Sequence, residues 1–359
     1  MPVIHRDLIT DRSAWTRSTL SADTSWQLSL QDQHVDNLLQ ALESSNTLEI
    51  PLHEICAENF ALDACGEVFE RIKGSLRNGH GFSLLHNFPV VGIERADIER
   101  MYWGFCAHLG LGLTQNSDAS LIHYVTEGRL RPNQGTRGVG DPGPVSLHVD
   151  LADCVSLLCV NQAQDSPPSR LSSSMTLHNQ LLEQAPHYLA RLYEGFEWDR
   201  QNEHGSNELP TTGYKVPFFS VNDATVSCRY NRNWIRKAAQ RSSGGLSAQD
   251  TEMLDFIDAL THENCFEFAF RPGDVQFANN YTTLHGRAPH QPSASDAQAR
   301  LLMRIWFNME NIRPFSDAAI VRHGILRHGH LGWSAADLAT GLRGRQHMRR
   351  SSDLAPRFV

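Results

Sequence analysis

Lysine is nearly missing from this 359-residue chain: it stands only at 73, 215 and 237, so almost all of the 32 basic residues are arginine. We read this as a compositional bias and not as a site. A clustered basic face is missing as well. The formal charge is -8, with acidic and basic residues interspersed along the whole length, which argues against a nucleic-acid partner. The seven cysteines, at 56, 65, 106, 154, 159, 228 and 265, include no Cys-x-x-Cys pair and are odd in number. Neither a zinc ribbon nor a disulfide framework is suggested, and reduced thiols in a cytoplasm fit best. No apolar run approaches the roughly 18 residues of a spanning helix, and the opening Met-Pro-Val-Ile-His-Arg-Asp lacks the apolar core of a signal peptide. The expectation is a soluble, cytoplasmic protein acting on small molecules, with neither nucleic acid nor membrane as partner. A homo-oligomer stays possible. Internal repeats, low-complexity tracts and composition shifts are also lacking, so residues 1–359 read as one domain.

What is present is the make-up of a globular core, 40% apolar and 20% charged, which excludes disorder as the main state. Val35, Leu38, Leu39 and Leu42 stand at i, i+3, i+4 and i+7 and predict a helix over 33–44 with a single apolar stripe. A second helix is expected over 176–195, carrying Leu181, Leu182, Leu189, Leu192 and Tyr193. A third begins at Ser247, where Ser-x-x-Asp250 resembles a capping box and Met253, Leu254, Ile257 and Leu260 form the buried stripe. Strand signals lie at 81–85, 145–150 and 155–160. Phe266, Phe268 and Phe270 alternate before a turn at Arg271-Pro-Gly-Asp274, and Val275 and Phe277 resume the alternation after it. The pattern predicts helices packed on a sheet, with a hairpin delivering His285. Gly and Pro crowd 131–144, a loop that could act as a lid just before the strand at 145.

His-x-Asp occurs three times, as His5-Arg-Asp7, His34-Val-Asp36 and His148-Val-Asp150, so geometry must choose among them. Residues i and i+2 share a face of a strand, whereas on a helix they point about 200° apart. His34 and Asp36 fall in the helical stripe and His5 and Asp7 in a frayed terminus; both pairs read as solvated surface. His148 and Asp150 fall in an apolar, β-leaning segment, where a polar pair is out of place unless something binds it. A satisfied polar pair at a strand end is the bland alternative. Far downstream comes His285, and two imidazoles with one carboxylate form the ligand set of a facial triad, which holds iron(II) and leaves open positions for substrates and oxygen. Arg300 and Arg304 follow in an apolar segment, four residues apart and so on one face of a strand. A buried guanidinium needs an anion, and a dicarboxylic cosubstrate suits its planar fork, although an internal Asp or Glu would serve equally.

Several motifs now stand in order: 79–89 (Gly-His-Gly-Phe-Ser-Leu-Leu-His-Asn-Phe-Pro), Leu147-His-Val-Asp150 with Leu157-Leu-Cys159, Val216-Pro-Phe-Phe, Arg229-Tyr-Asn-Arg232, Pro272-Gly-Asp-Val-Gln-Phe-Ala-Asn-Asn280, Leu284-His-Gly-Arg287, and the Arg300/Arg304 segment. From about Trp26 to Trp306 the chain resembles the taurine dioxygenase-like (TauD/TfdA) group of iron(II)/2-oxoglutarate-dependent oxygenases, which includes clavaminate synthase-like and γ-butyrobetaine hydroxylase-like enzymes. The resemblance implies a double-stranded β-helix, a jelly-roll core over about 26–310 flanked by helices, with a C-terminal extension over 311–359. It implies that His148, Asp150 and His285 bind iron and that Arg300 holds the distal carboxylate of 2-oxoglutarate with help from Ser169. The family commonly has Gly-Gly shortly before that hydroxyl, and this chain has Pro167-Pro168. Arg304 matches a position that meets an acidic substrate group in some members and supports the cosubstrate pocket in others.

The implied activity is oxidation, foremost hydroxylation, of an unactivated C–H bond in a small amino-acid-like or carboxylate-bearing metabolite. It uses Fe(II), 2-oxoglutarate and O2, with succinate and CO2 as coproducts. Desaturation, cyclisation and epoxidation use the same centre; halogenation is disfavoured, since related halogenases lack the carboxylate that Asp150 supplies. Two alternatives stand beside this. One is a quaternary ammonium substrate of the γ-butyrobetaine kind, caged by Tyr124, Tyr230 and Trp234; the other is a metal enzyme of the same fold that does not use 2-oxoglutarate and would not need Arg300. Asn279, Asn280, Tyr281 and Arg287 surround the distal histidine, either lining the pocket or serving as structural hydrogen-bond partners.

Overall fold

A computed structural model describes residues 2–115, 120–126, 145–163, 166–202, 204, 209–289 and 299–316. In chain order the elements are α1 (Arg17–Ala22), β1 (Gln27–Ser29), α2 (Asp32–Thr47), α3 (Gly66–Asn78), β2 (Phe82–His86), α4 (Arg95–Ala107), β3 (Leu111–Leu113), β4 (His123–Thr126), β5 (Val145–His148), β6 (Cys154–Asn161) and β7 (Ser169–Ser173). They continue with α5 (Ser174–Gln184), α6 (Leu189–Glu194), β8 (Phe219–Asn222), β9 (Thr225–Cys228), α7 (Arg232–Ser243), α8 (Ala248–Glu263), β10 (Phe266–Phe268), β11 (Val275–Asn279), β12 (Thr283–Arg287) and β13 (Leu301–Asn308). The proposed lid at 131–144 and residues 317–359 of the C-terminal extension lie outside the described residues.

The strands form a large sheet in the order β1-β2-β11-β6-β13-β3, with β4 also on β13, and a small sheet in the order β10-β7-β12-β5. Alternation along the strands explains how both sheets are buried. Leu84, Val155, Cys159, Ala278, Leu302 and Trp306 of the large sheet share one apolar cluster with Leu147, Leu171 and Leu284 of the small sheet, which places that cluster between the two. The residues of opposite parity, Leu85, Cys154, Leu158, Val275, Phe277, Met303 and Ile305, join a second cluster with α2, α3 and α4. A sheet covered on both faces reads as nearly continuous apolar sequence, as 155–160 and 301–307 do. On the other side, α8 packs on β5 and β7. The result is the jelly-roll core flanked by helices expected from the sequence.

Four local expectations are corrected. The helix expected over 176–195 is two helices, because Pro186 lacks the N–H that would continue α5 and drives Ala185 out of helical geometry (φ -147, ψ 55). On α2 the buried face is His34, Leu38, Ala41, Leu42 and Ser45, while Leu39 is 39% exposed. The Phe266–Phe270 alternation does not fold back on Val275 and Phe277: β10 pairs with β7 in the small sheet and β11 with β2 and β6 in the large one. Likewise β11 and β12 form no hairpin, since β12 pairs with β5 and β7, and Asn280–Thr282 carry the chain from one sheet to the other.

Candidate active site

Strands β5 and β12 run antiparallel, and their register sets His148 directly opposite His285. Directly opposed residues project from the same face, and the two ring centroids lie 4.5 Å apart. The β-strand itself ends at His148, so the carboxylate comes not from a strand position but from the chain turning away just beyond it. The ligand atoms of His148, Asp150 and His285 all lie within 4.8 Å of one another. His285 Nε2 is 3.4 Å from one Asp150 oxygen and His148 Nε2 is 3.9 Å from the other. His148 Nδ1 donates to the carbonyl of Ser146 at 2.8 Å, which fixes the tautomer and leaves the Nε2 lone pair toward the cluster. Burial and the facing His285 push the His148 imidazole down to about 4, so it is neutral at physiological pH.

Asp150 is fastened from β13 and from the chain just past β11 and β9. Its carboxylate accepts the indole N–H of Trp306 at 2.9 Å and faces the Arg304 guanidinium at 3.3 Å. Its backbone N–H donates to the Asn280 side chain at 3.0 Å, and its carbonyl accepts from Arg229 at 3.0 Å. Burial opposes ionisation here, but Arg304, then His285 and His148, outweigh it and hold the carboxyl far below the ordinary carboxylate range. A buried network backs this turn. Arg229 also donates to the Tyr281 hydroxyl at 2.9 Å, that hydroxyl donates to Asp153 at 2.7 Å, and Asn280 donates to the carbonyl of Ala152 at 2.9 Å.

Arg300 stands one residue before β13 and is 6% exposed. Its Nε has no hydrogen-bond partner among the described residues. Burial and the neighbouring Arg287 lower the guanidinium to about 10. Ser169 is the register partner of Arg287 across β7 and β12, and its hydroxyl donates to the Gln276 side chain at 3.2 Å. Arg304 is placed elsewhere: besides Asp150 it donates from Nε to Gln115 at 2.8 Å and lies 4.7 Å over the Trp306 ring. The two arginines are therefore placed differently, Arg304 at the Asp150 carboxylate and Arg300 beside Arg287.

The aromatic trio is not assembled. Tyr230 is buried with its hydroxyl on Asp258, Trp234 meets Trp198 edge-on, and Tyr124 packs in the other apolar cluster with its hydroxyl on Glu99. Asn279, Asn280 and Tyr281 have structural partners: Asn279 donates to the carbonyl of Leu76 at 2.9 Å and accepts the Tyr281 N–H at 2.8 Å. Residue types in sequence did not single out Trp306, Arg229, Gln115 or Gln276. Gln276 did leave a trace, as the one long polar side chain within the apolar run Val275–Ala278.

The donor set fits the implied metal. Two imidazoles, one of them held neutral, and an ionised carboxylate suit a divalent first-row ion such as iron(II). Arg300, buried with an open donor and no carboxylate partner among the described residues, fits one end of a dicarboxylate.

Comparison with known proteins agrees with this geometry. The profile of the family described as "Taurine catabolism dioxygenase TauD, TfdA family" matches residues 49–306. FR-33289 synthase of Streptomyces rubellomurinus is 26% identical over 317 residues, covering 86% of this chain and 92% of that protein. Among solved structures, asparagine oxygenase superposes with a TM-score of 0.60 at 14% identity, covering 86% of this chain and 99% of its own. The non-heme iron oxygenase OrfP, in complex with Fe and alpha-ketoglutaric acid, superposes with a TM-score of 0.57 at 17% identity, covering 78% of this chain and 93% of its own. At such identities the structural likeness establishes the fold.

Proposed function

The chain belongs to the taurine catabolism dioxygenase TauD, TfdA family and is a 2-oxoglutarate-dependent non-haem iron dioxygenase, and from that premise we propose that it hydroxylates an unactivated C–H bond of a small amino-acid-like or carboxylate-bearing metabolite. His148, Asp150 and His285 hold the iron, and Arg300 holds the distal carboxylate of 2-oxoglutarate. When bound, iron with 2-oxoglutarate and dioxygen supplies the oxidation of the C–H bond, with succinate and CO2 as coproducts. The observation that carries the reading is the pairing of a converged His-Asp-His cluster with a buried arginine whose Nε has no partner among the described residues. A metal enzyme indifferent to 2-oxoglutarate has no use for that arginine, and keeping it buried without an anion is destabilising.

The side chains divide the work. Trp306, Asn280 and Arg229 aim the Asp150 carboxylate, and Ser146 fixes the His148 tautomer. Arg304 keeps Asp150 ionised and, standing beside the metal ligands, is also placed to meet an acidic substrate group. Two relatives bear on the substrate class. Asparagine oxygenase has been solved with 3-hydroxyasparagine and OrfP with L-Arg, so this fold accommodates free amino acids.

The test is anaerobic titration of the metal-free protein with iron(II) and then 2-oxoglutarate, following the weak visible charge-transfer band of the chelate. The expected result is a band in the wild type and its loss in Arg300→Ala. No band in the wild type at saturating 2-oxoglutarate would remove the cosubstrate. Succinate release across a panel of amino acids and their derivatives then identifies the substrate class.

A further inference from the structure

Facing Ser169 from the large sheet stands a polar group that the apolar interior does not call for. Gln276 lies in the middle of β11, fully buried, between Val275 and Phe277. Its parity is that of Ala278, which belongs to the apolar cluster between the sheets, so its side chain enters the interior of the barrel. There its Oε1 accepts the Ser169 hydroxyl at 3.2 Å, while its Nε2 has no partner among the described residues. A buried amide N–H left unbonded is destabilising; leucine of similar volume would avoid that.

Ser169 and Arg287 connect this amide to Arg300. Gln276 opposes Leu157 on β6, which in turn opposes Arg304 on β13, and Cys159, two residues on from Leu157, projects from the same face toward the Arg300 end of β13. Cys159 opposes Leu302 on β13, and Arg300 stands two residues before Leu302, past the register shift at Leu301/Leu302. From the facing sheet, Ser169 opposes Arg287. The electrostatics agree with that closeness, since the Arg300 guanidinium acts on the Cys159 thiol and Arg287 acts on Arg300. Two buried donors without partners among the described residues, Gln276 Nε2 and Arg300 Nε, thus flank the Ser169–Arg287 pair, Gln276 through its hydrogen bond to Ser169 and Arg300 through its neighbour Arg287.

We propose that Gln276 is a cosubstrate-binding residue: its Nε2 donates to the distal carboxylate that Arg300 pairs with, while Ser169 locks the amide orientation through Oε1. The inference rests on the 2-oxoglutarate reading of Arg300 and adds to it a neutral donor that an arginine alone does not provide. Arg300 fixes charge; the amide fixes where the carboxylate sits. Length selection follows, because a 2-oxo acid without the distal carboxylate reaches neither donor.

The experiment measures binding by calorimetry, anaerobically, with Fe(II)-loaded protein and two titrants: 2-oxoglutarate and pyruvate, which has the keto-acid end alone. Variants are Gln276→Leu and Gln276→Glu, with Arg300→Ala as reference, and iron affinity and melting temperature measured on each. Gln276→Leu is expected to weaken 2-oxoglutarate tenfold or more, as for a hydrogen bond to a charged group, and to leave pyruvate and iron affinity unchanged. Gln276→Glu keeps the acceptor for Ser169 but puts an anion where a donor stood, so it should abolish 2-oxoglutarate binding. Wild-type affinity for 2-oxoglutarate in Gln276→Leu, with Arg300→Ala still impaired, would overturn the role of Gln276 alone. Retained binding in Gln276→Glu would make the amide an acceptor for Arg300 and likewise overturn it. Absence of 2-oxoglutarate binding in the wild type would overturn both this inference and the function on which it rests. Equal weakening of 2-oxoglutarate, pyruvate and iron would show a merely structural role.

Discussion

Trp306 donates its indole N–H to Oδ2 of Asp150 at 2.9 Å, tying a residue in the middle of β13 to a carboxylate that has just left β5 in the opposite sheet. The bond fixes one oxygen of the ligand and so selects the rotamer that faces the two imidazoles. Partners of this kind tune metal sites by about 10–100-fold in affinity or activity when removed. Trp306→Phe is therefore expected to lower Fe(II) affinity within that range while retaining the fold. Asp150→Ala should abolish turnover. Metal titration of both variants against the wild type checks this; unchanged iron affinity in Trp306→Phe would mean that Arg304 and Asn280 suffice to aim the carboxylate.

Tyr281 carries a different burden. Its hydroxyl sits between Arg229 and Asp153, 2.9 Å and 2.7 Å away, and Arg229 lies 4.3 Å over its ring. Tyr281→Phe leaves a buried donor and a buried carboxylate oxygen short of a bond, at about 1–3 kcal/mol for such a group. Urea denaturation should show a loss of that size with the slope of the transition unchanged. Iron affinity should fall much less than in Trp306→Phe, because Asn280 still holds the Asp150 N–H.

The residues that converge at the candidate site were legible in the sequence for a physical reason: His148 and Asp150 interrupt an apolar segment, where unbonded polar groups are destabilising, although the strand expected through Asp150 ends at His148. The same logic applied to Gln276 would have found it, but one amide in an apolar run draws less notice than a charged pair. Arg304 was found by the same parity argument as Arg300, yet only the three-dimensional arrangement assigns it to Asp150. Sheet membership was not legible. The turn at 271–274 and the three residues 280–282 look like hairpin connections in sequence, and nothing local records that each changes sheets. Nor was α4 visible, because Met101, Tyr102, Trp103, Phe105 and Cys106 are all buried and the helix shows no clean polar face.

His178 gives the fold an acid-sensitive point away from the metal. It is fully buried on α5, bonded through Nε2 to the Tyr193 hydroxyl at 2.9 Å, and burial together with nearby His5 pushes it down to about 4. The unfolded chain takes up this proton near pH 6.5, whereas the folded chain does so only near 4. The neutral form therefore favours folding above pH 6.5, and stability declines as pH falls from 6.5 toward 4, by about 3 kcal/mol in total. His178→Gln should remove that part of the pH slope. Denaturation midpoints at pH 7 and pH 5 measure it, and an identical slope in the variant would assign the acid sensitivity to another group.

The candidate metal site also depends on a glycine that follows His285 directly and offers no ligand of its own. Gly286 lies between His285 and Arg287 on β12, where the register with β5 shifts. A Cβ built there would stand 2.6 Å from the carbonyl oxygen of Val145 and 3.2 Å from the amide of Leu147, both backbone atoms of the neighbouring strand. Backbone has no rotamer by which to withdraw, so alanine must push β5 away from β12. His148 sits at the end of β5 and depends on that spacing to face His285. Overpacking of this kind destabilises by about 1–3 kcal/mol, and here the strain falls on the distance between two ligands. Gly286→Ala is expected to lower the melting temperature modestly and to reduce iron affinity more than Trp306→Phe does, since it displaces an imidazole and not merely a partner of the carboxylate. A variant that binds iron as well as wild type would show that β5 shifts as a unit without moving His148 from its position opposite His285.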